Sequence, residues 1–552
     1  MPTQGAGKCS LLLFCILSAH FRFLLYGSCP FIKEVDMRLL SLCFVTLMLF
    51  SACQPQDVST DDGIIIQVRA TVATDVKPDT AIELEFSSPL PTGVNLRDYI
   101  VVTPDIDGEL TLATDGLSAT FIPEPGWEPE MSYRITVADG VALANGDHFA
   151  SAEWQFQTQG WTDPAIQLAN TGTVKGWGLT IDSSGNVFVV GQVLGADEFA
   201  GLSTAYSEQG VVQKFSPTGE LLWSKLIDPG YHSAGFDIHV SNRDVLTVLI
   251  RGVSDQTRVY QLDTDGEMLS GSPWIITADD ASVWLDAVEM RVADSGEVYL
   301  YGQTQGSIDG VQSGHLFLMK YTSGGQRAWV KQFDTVSQSP SDYLMWDMVL
   351  DNAGSIYLDI SSAKSLLGSE PIWDGTTAVP NGVVVKFDAD GNLSWINRFG
   401  HNDITLSSLA IQTNEQGDVL AAFEFYNAPA GAELNGTALN ASDGMVLVRY
   451  NQDGVHQSTT VYANNGGWTG VTDMQLTTDG TLIGVGFYYN EVTNPAQNWL
   501  TEWDAQGNLY RERFQSDLFA DYYAALAIDP WGRLFMVATE DNGLLLRQLS
   551  FD

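Results

Sequence analysis

One short unit recurs seven times between residues 178 and 538: a run of alternating apolar residues, a tight turn, and a second such run. It reads GLTIDSSGNVFVVG at 178–191 and DMVLDNAGSIYLDI at 347–360, with copies from 289, 409, 473 and 525 and a degenerate one, DIHVSNRDVLTVLI, at 237–250. A second unit follows the first, as VVQKFSPTGELLWSK at 211–225 and VVKFDADGNLSWIN at 384–397, with copies from 259, 318, 447 and 500. Alternation bounded by turn residues is strand periodicity. The period is about 58 residues, and each period holds two hairpins and so four strands. Such a sheet cannot bury its faces alone, and a four-stranded meander repeated radially is a propeller blade. Seven first hairpins predict seven blades. The last copy has room for only three strands before Asp552. The segment DPAIQLANTG (163–172), ahead of the first complete copy, is expected to supply the fourth. That pairing would close the ring and remove two open sheet edges.

Residues 62–159 have no such repeat, but show seven short alternating runs separated by turn residues such as Pro78-Asp79, Asp107-Gly108 and Pro125-Gly126. This pattern predicts a β-sandwich. The pieces DVKPDTAIELEFSSPL (75–90), ATFIPEPGWEPEMSYRITVADGVALANGD (119–147) and WQFQT (154–158) resemble the SbsA-type bacterial Ig-like domain. The resemblance implies a spacer or binding module at a cell surface, without catalytic residues. The repeats of 160–552 are similar to the SBBP β-propeller repeat of bacterial extracytoplasmic proteins. The similarity is clearest at Asp182/Gly185/Phe188 with Lys214/Gly219/Trp223, and at Asp351/Gly354/Tyr357 with Lys386/Asp388/Gly391/Trp395. The expected fold class is all-β: an Ig-like β-sandwich followed by a seven-bladed β-propeller closed by an N-terminal strand.

All five cysteines, at 9, 15, 29, 43 and 53, precede these domains. Met37-Arg38, the apolar run LLSLCFVTLMLFSA (39–52) and small Ser51-Ala52 make a secretory signal. The Ser51-Ala52-Cys53 ending resembles a bacterial lipoprotein signal, although Phe50 stands where that family usually has Leu. The resemblance implies cleavage after residue 52, acylation of Cys53 and, with Gln54 next, sorting to the outer membrane. An acyl anchor holds a domain at a bilayer without a spanning helix. On this reading 37–52 is the signal peptide, 53–61 the lipidated cysteine and linker, and 1–36 a non-native upstream extension. A plain cleaved signal or an uncleaved helix is the alternative.

With 26 basic against 68 acidic residues the net charge is −42, a field that repels nucleic acid and anionic lipid. DTDG (263–266) and DADG (388–391) look like the openings of calcium loops, but no glutamate closes either at position twelve, and a hairpin turn explains both. Lys214, Lys320, Lys386, Arg449 and Arg547 recur at one strand position, where each is expected to pair with a carboxylate of the neighbouring blade. Trp223, Trp329 and Trp395 are similar to the docking tryptophans of quinoprotein dehydrogenases, which implies packing between blades and not a cofactor. His239 lies mid-strand and is expected to pack between blades. The innermost strands open on Gly178, Asp237, Glu289, Asp347, Ser408, Asp473 and Ala525. If these ring the channel mouth, Asp237, Glu289, Asp347 and Asp473 face one another. They would then raise one another's pKa, or take up Ca²⁺, another hard cation or a cationic ligand. The plainer reading is solvated acids in a wet channel. Ca²⁺ is the one cofactor this brings into view.

No Gly-x-Ser-x-Gly elbow, His-Glu-x-x-His helix or phosphate-binding glycine loop is present. The expectation is a non-enzymatic cell-envelope lipoprotein, facing the periplasm or the cell surface, with the Ig-like domain as spacer. It would bind an envelope or extracellular protein or a glycan through the propeller face that gathers the inserts 192–210, 361–382 and 426–444. The alternatives are an outer-membrane assembly factor of propeller type, or a quinone-dependent or polysaccharide-active enzyme.

Overall fold

The computed structural model describes residues 67–68, 76–86, 88–90, 93–138, 151–164, 167, 171–252, 257–280, 283–310, 316–333, 343–372, 379–414, 416–463, 467–490, 497–515, 525–540 and 543–550. Cys53 and the whole of 1–61 lie outside them. No helix among the described residues is long and apolar enough to cross a membrane.

Among the described residues of the first domain seven strands form two sheets. One orders Gln67–Val68, Ile82–Glu85, Ser118–Pro123 and Gly108–Leu112, and the other Ile100–Thr103, Ser132–Val137 and Ala152–Gln157. Period-two alternation puts Ile82 and Leu84 inside from one sheet and Tyr133, Ile135 and Val137 from the other. Trp127 fills the space between them, fully buried, with Phe121, Tyr133 and Phe156 rings 5.4, 4.8 and 4.9 Å away. Its indole N–H, which burial would otherwise leave unpaired, donates to Thr80 O at 2.7 Å.

Beyond it the described residues form six four-stranded sheets, one of three strands and two small two-stranded ones within the inserts, all antiparallel. The first seven are the blades of a propeller. Their innermost strands are Thr173–Ile181, Ser233–Val240, Leu285–Val292, Tyr343–Leu350, Thr405–Thr413, Gly467–Leu476 and Ala525–Ile528. Each touches the next, and the last touches the first, so the ring is closed. Gln167 pairs with Leu544 of the three-stranded sheet through two amide bonds of 2.9 and 3.0 Å, as the closing segment requires. Sheets stacked on both faces need strands apolar on both faces. The second strand of blade 5, Val419–Tyr426, is accordingly buried from Val419 to Phe425. Blade 7 packs on blade 1 in the same way, with Phe535, Val537 and Leu544 against Val174, Val187 and Phe199.

The Lys-and-Trp repeat has a shared physical cause. Lys214 Nζ and Trp223 Nε1 both donate to Thr264 O of the next blade, at 3.1 and 3.2 Å, and Lys386 and Trp395 do the same to Gln452 O, at 3.3 and 3.1 Å. The cations also lie over the ring one strand inward, Lys214 on Phe188 and Lys386 on Tyr357, at 5.2 and 4.9 Å. Carboxylate partners come from the cation's own blade, not from the neighbour as the sequence suggested: Lys320 pairs with Glu297 at 3.0 Å and Arg449 with Asp418 at 2.9 Å. The neighbour offers a carbonyl instead, because its turn is what the side chain reaches across the blade gap. The turns 263–266 and 388–391 are closed by Asp263 and Asp388, whose Oδ1 atoms each accept two amides of the same turn.

In an up-and-down meander, first-to-second and third-to-fourth turns share one face, and all other connections share the opposite one. The sandwich meets the turn face. Trp531, in the first turn of blade 7, lies against Gly126 of the sandwich, where an added Cβ would stand 3.4 Å from the indole. Lys77 reaches Glu220, in a turn of blade 1, at 3.2 Å. The long inserts occupy the other face and are pinned to their blades by buried Phe199, Ile308, Leu366 and Leu434.

Candidate functional site

An innermost strand has one edge paired with its blade and the other facing the channel, so its channel-side N–H and C=O groups lack strand partners. In this chain side chains of the preceding blade supply them. Asp237 Oδ2 accepts the Met290 amide at 3.3 Å, Asp347 Oδ2 the Ile411 amide at 3.0 Å and Asp473 Oδ2 the Leu526 amide at 2.7 Å. Two residues further on, His239 Nε2 donates to Met290 O at 2.9 Å and Gln412 Nε2 to Met474 O at 3.1 Å. His239 thus lies between blades, as expected of it. A bulge at one residue of the strand (Phe236, Val288 or Thr472, for instance) turns the next side chain toward this edge.

The bulge also corrects one assignment. In blade 5 it falls on Leu409, so the residue equivalent to Asp347 is Ala410, and Ser408 precedes the bulge. Ser408 is fully buried and its amide donates to Ser361 Oγ at 2.6 Å.

Asp237, Glu289 and Asp347 are brought together, but around a cation that sequence reasoning missed. Arg291 pairs with Glu289 of its own strand, with Asp347 at 2.5 Å and with Asp237 at 3.5 Å, joining blades 2, 3 and 4. Asp473 joins through its field and not by contact: its charge helps hold Arg291 protonated. Among the described residues no cluster of three or more His, Cys, Asp or Glu side chains has the arrangement of a metal site. One signal could have pointed to Arg291. It is the only arginine or lysine two positions past the acid in any copy of the first unit.

These carboxylates are desolvated, not solvated. Burial drives the pKa of Asp347 up and that of Glu289 well up, against the pull of Arg291. Burial, then the charge of Asp347, pushes Asp473 up to about 7. At Asp237 burial acts upward too, but His239, Arg291 and the Ile238 amide outweigh it and hold the carboxyl below its ordinary value. Asp359, opposite Asp347 in the sheet, is fully buried, and burial raises its pKa well above the usual range. The cluster therefore clasps blades together and carries more acid than one guanidinium neutralises.

A separate cleft of about 220 Å³ opens where blades 1, 2 and 3 meet, between the insert-side ends of their strands. Phe236 lies in it, stacked with Trp177 at 5.5 Å and with the Arg251 guanidinium over its ring at 4.0 Å. Asp286 of blade 3 pairs with that guanidinium. Gln192 and Glu208 line the cleft from blade 1, and Trp284 from the connection into blade 3. None of these residues stood out in the sequence; the one local signal is the pair of aromatics, Trp177 and Phe236, at equivalent bulge positions in adjacent copies.

A sandwich of bacterial type followed by a seven-bladed propeller with a lined cleft is the class of protein these features define. Residues 66–158 match the family described as the bacterial Ig-like domain. No curated protein matches the chain. Among solved structures, a Bacteroides caccae protein of unknown function is 13% identical, with 57% of this chain and 93% of that one covered and a TM-score of 0.32. A gluconolactonase from Xanthomonas campestris is 14% identical, covering 57% and 86%, at a TM-score of 0.29. A Hadza microbial sialidase is 9% identical, covering 79% and 77%, at a TM-score of 0.36. At these scores none bears on what this chain binds.

Proposed function

We propose that this protein is a non-enzymatic binding protein of the bacterial cell envelope, anchored through Cys53, that engages its partner with the insert face of the propeller. One observation carries the reading: the Ig-like domain, nearer the anchor in sequence, engages the turn face, while the inserts and the cleft share the opposite face. A spacer docked in that way leaves the insert face unobstructed. The inserts are also pinned by buried apolar residues, which suits a preorganised recognition surface. The partner is an envelope or extracellular protein or a glycan, and the acidic field disfavours nucleic acid.

The test is affinity capture from envelope extracts with the anchor-free protein and with variants whose inserts at 195–207 and 427–443 are shortened to Gly-Ser turns. Capture should vanish in the variants while their thermal melts stay cooperative. Capture that persists in both would refute the reading. Separately, Cys53→Ser should move the protein from the membrane fraction to the soluble envelope fraction, and a variant that stays with the membrane would remove the anchor.

A further inference from the structure

We infer that the cleft between blades 1, 2 and 3 seats one six-membered sugar ring of a neutral glycan. The inference rests on the reading of the insert face as the binding face and names the ligand class for it. The cleft, at about 220 Å³, is smaller than the roughly 300–1,000 Å³ of sites that enclose drug-sized molecules, so it takes a single ring and leaves the rest of a chain outside.

Its chemistry is that of hydroxyl recognition. The Gln192 carboxamide, the Glu208 carboxylate and the Trp284 indole N–H line it, and none has a hydrogen-bond partner among the described residues. They offer a donor–acceptor, an acceptor and a donor, which together match vicinal hydroxyls that each donate and accept. Trp284, half-buried, adds an aromatic surface for the apolar C–H side of a ring. Phe236, in contact with both Trp177 and Arg251, forms the floor.

Charge selects among ligands. Arg251 is matched by Asp286, which leaves Glu208 as the uncompensated charge in the cleft, within a chain of net charge −42. Carboxylated, sulfated or phosphorylated sugars are repelled. With Arg251 and Asp286 cancelling each other, this charge excludes anionic sugars alone; of the rest, an uncharged polyol satisfies the carboxamide, the carboxylate and the indole N–H without bringing a second charge into the cleft.

The experiment is a glycan array with the anchor-free protein. Titration calorimetry of the best neutral oligosaccharide follows, against Trp284→Ala, Glu208→Ala and Gln192→Ala. Trp284→Ala and Glu208→Ala should each weaken binding about tenfold or more, and Gln192→Ala several-fold, with melting temperatures unchanged. Equal affinity in all three overturns the cleft assignment. If shortening the inserts still abolishes that binding, only the cleft assignment falls; if it does not, the reading of the face falls too. Preference for anionic glycans, or capture of a protein with no glycan bound, overturns the sugar assignment and leaves the face intact.

Discussion

Replacing Arg291 with methionine tests the clasp directly. Methionine keeps much of the apolar stem and removes the charge and the fork. Three carboxylates then lose their counter-charge at once, with side chains only 17%, 16% and 10% exposed at Asp237, Glu289 and Asp347. An opposite charge at about 3.5 Å is worth about 5 kcal/mol at an effective dielectric of about 20. The desolvation already incurred offsets most of that attraction, and breaking a buried pair typically costs about 3–5 kcal/mol net. For a propeller of about 380 residues, with about 2.1 cal/mol/K of unfolding entropy each, a loss of 4 kcal/mol lowers Tm by about 5 °C. The pH dependence distinguishes charge from packing. Without Arg291 the folded pKa values of Glu289 and Asp347 rise further above the unfolded value near 4, and that of Asp237 loses part of what holds it below. That penalty is fully present above the folded values and disappears as pH falls toward about 4. Asp237, now held low, also gives up stability that it contributes above its unfolded pKa. Calorimetric melts should therefore show a deficit at pH 8 that shrinks by pH 4.5, with Arg291→Lys in between. A deficit below about 1 kcal/mol, or one equal at both pH values, would refute the clasp.

Three further outcomes are expected. Asp473→Asn keeps an oxygen for the Leu526 amide and removes a carboxyl raised to about 7. The folded acid binds a proton that the unfolded one has released, so stability now falls as pH rises from about 4 to 7. Denaturant melts of the variant should be flatter over that window and up to about 4 kcal/mol more stable at pH 8. Gly454→Ala meets both a φ of +81° and Trp395, 2.8 Å from the new Cβ, whereas Gly431→Ala meets only a φ of +83° with nothing within 4 Å. The first should cost about 1–3 kcal/mol more than the second in the same melts; equal costs would mean that Trp395 is not seated there. Gln167→Pro removes the N–H that donates to Leu544 O and should lower the stability of the propeller transition by about 1–3 kcal/mol. An unchanged melt would show that the closing pair bears no load.

Repeat period and alternation were enough to read the seven blades, the seven strands of the sandwich and the segment that closes the ring. The strands are local, because the period of side-chain alternation fixes them; the closing segment was legible by count, because the last copy is one strand short. The tryptophans between blades were legible because Trp223, Trp329 and Trp395 hold one position in three copies, and a residue type that recurs at a repeat position answers to a contact that recurs. What only the tertiary structure decided depends on neighbours far apart in the chain. Whether Asp237, Asp347 and Asp473 meet solvent, a metal or an amide turns on which strand edge the ring leaves unpaired and on a one-residue bulge that moves the equivalent of Asp347 from Ser408 to Ala410. Arg291 is a single departure from the repeat, and its meaning appears only when blades 2, 3 and 4 bring three acids to it. The cleft is assembled from three blades, with Gln192 and Asp286 almost a hundred residues apart, and no local pattern records such a meeting.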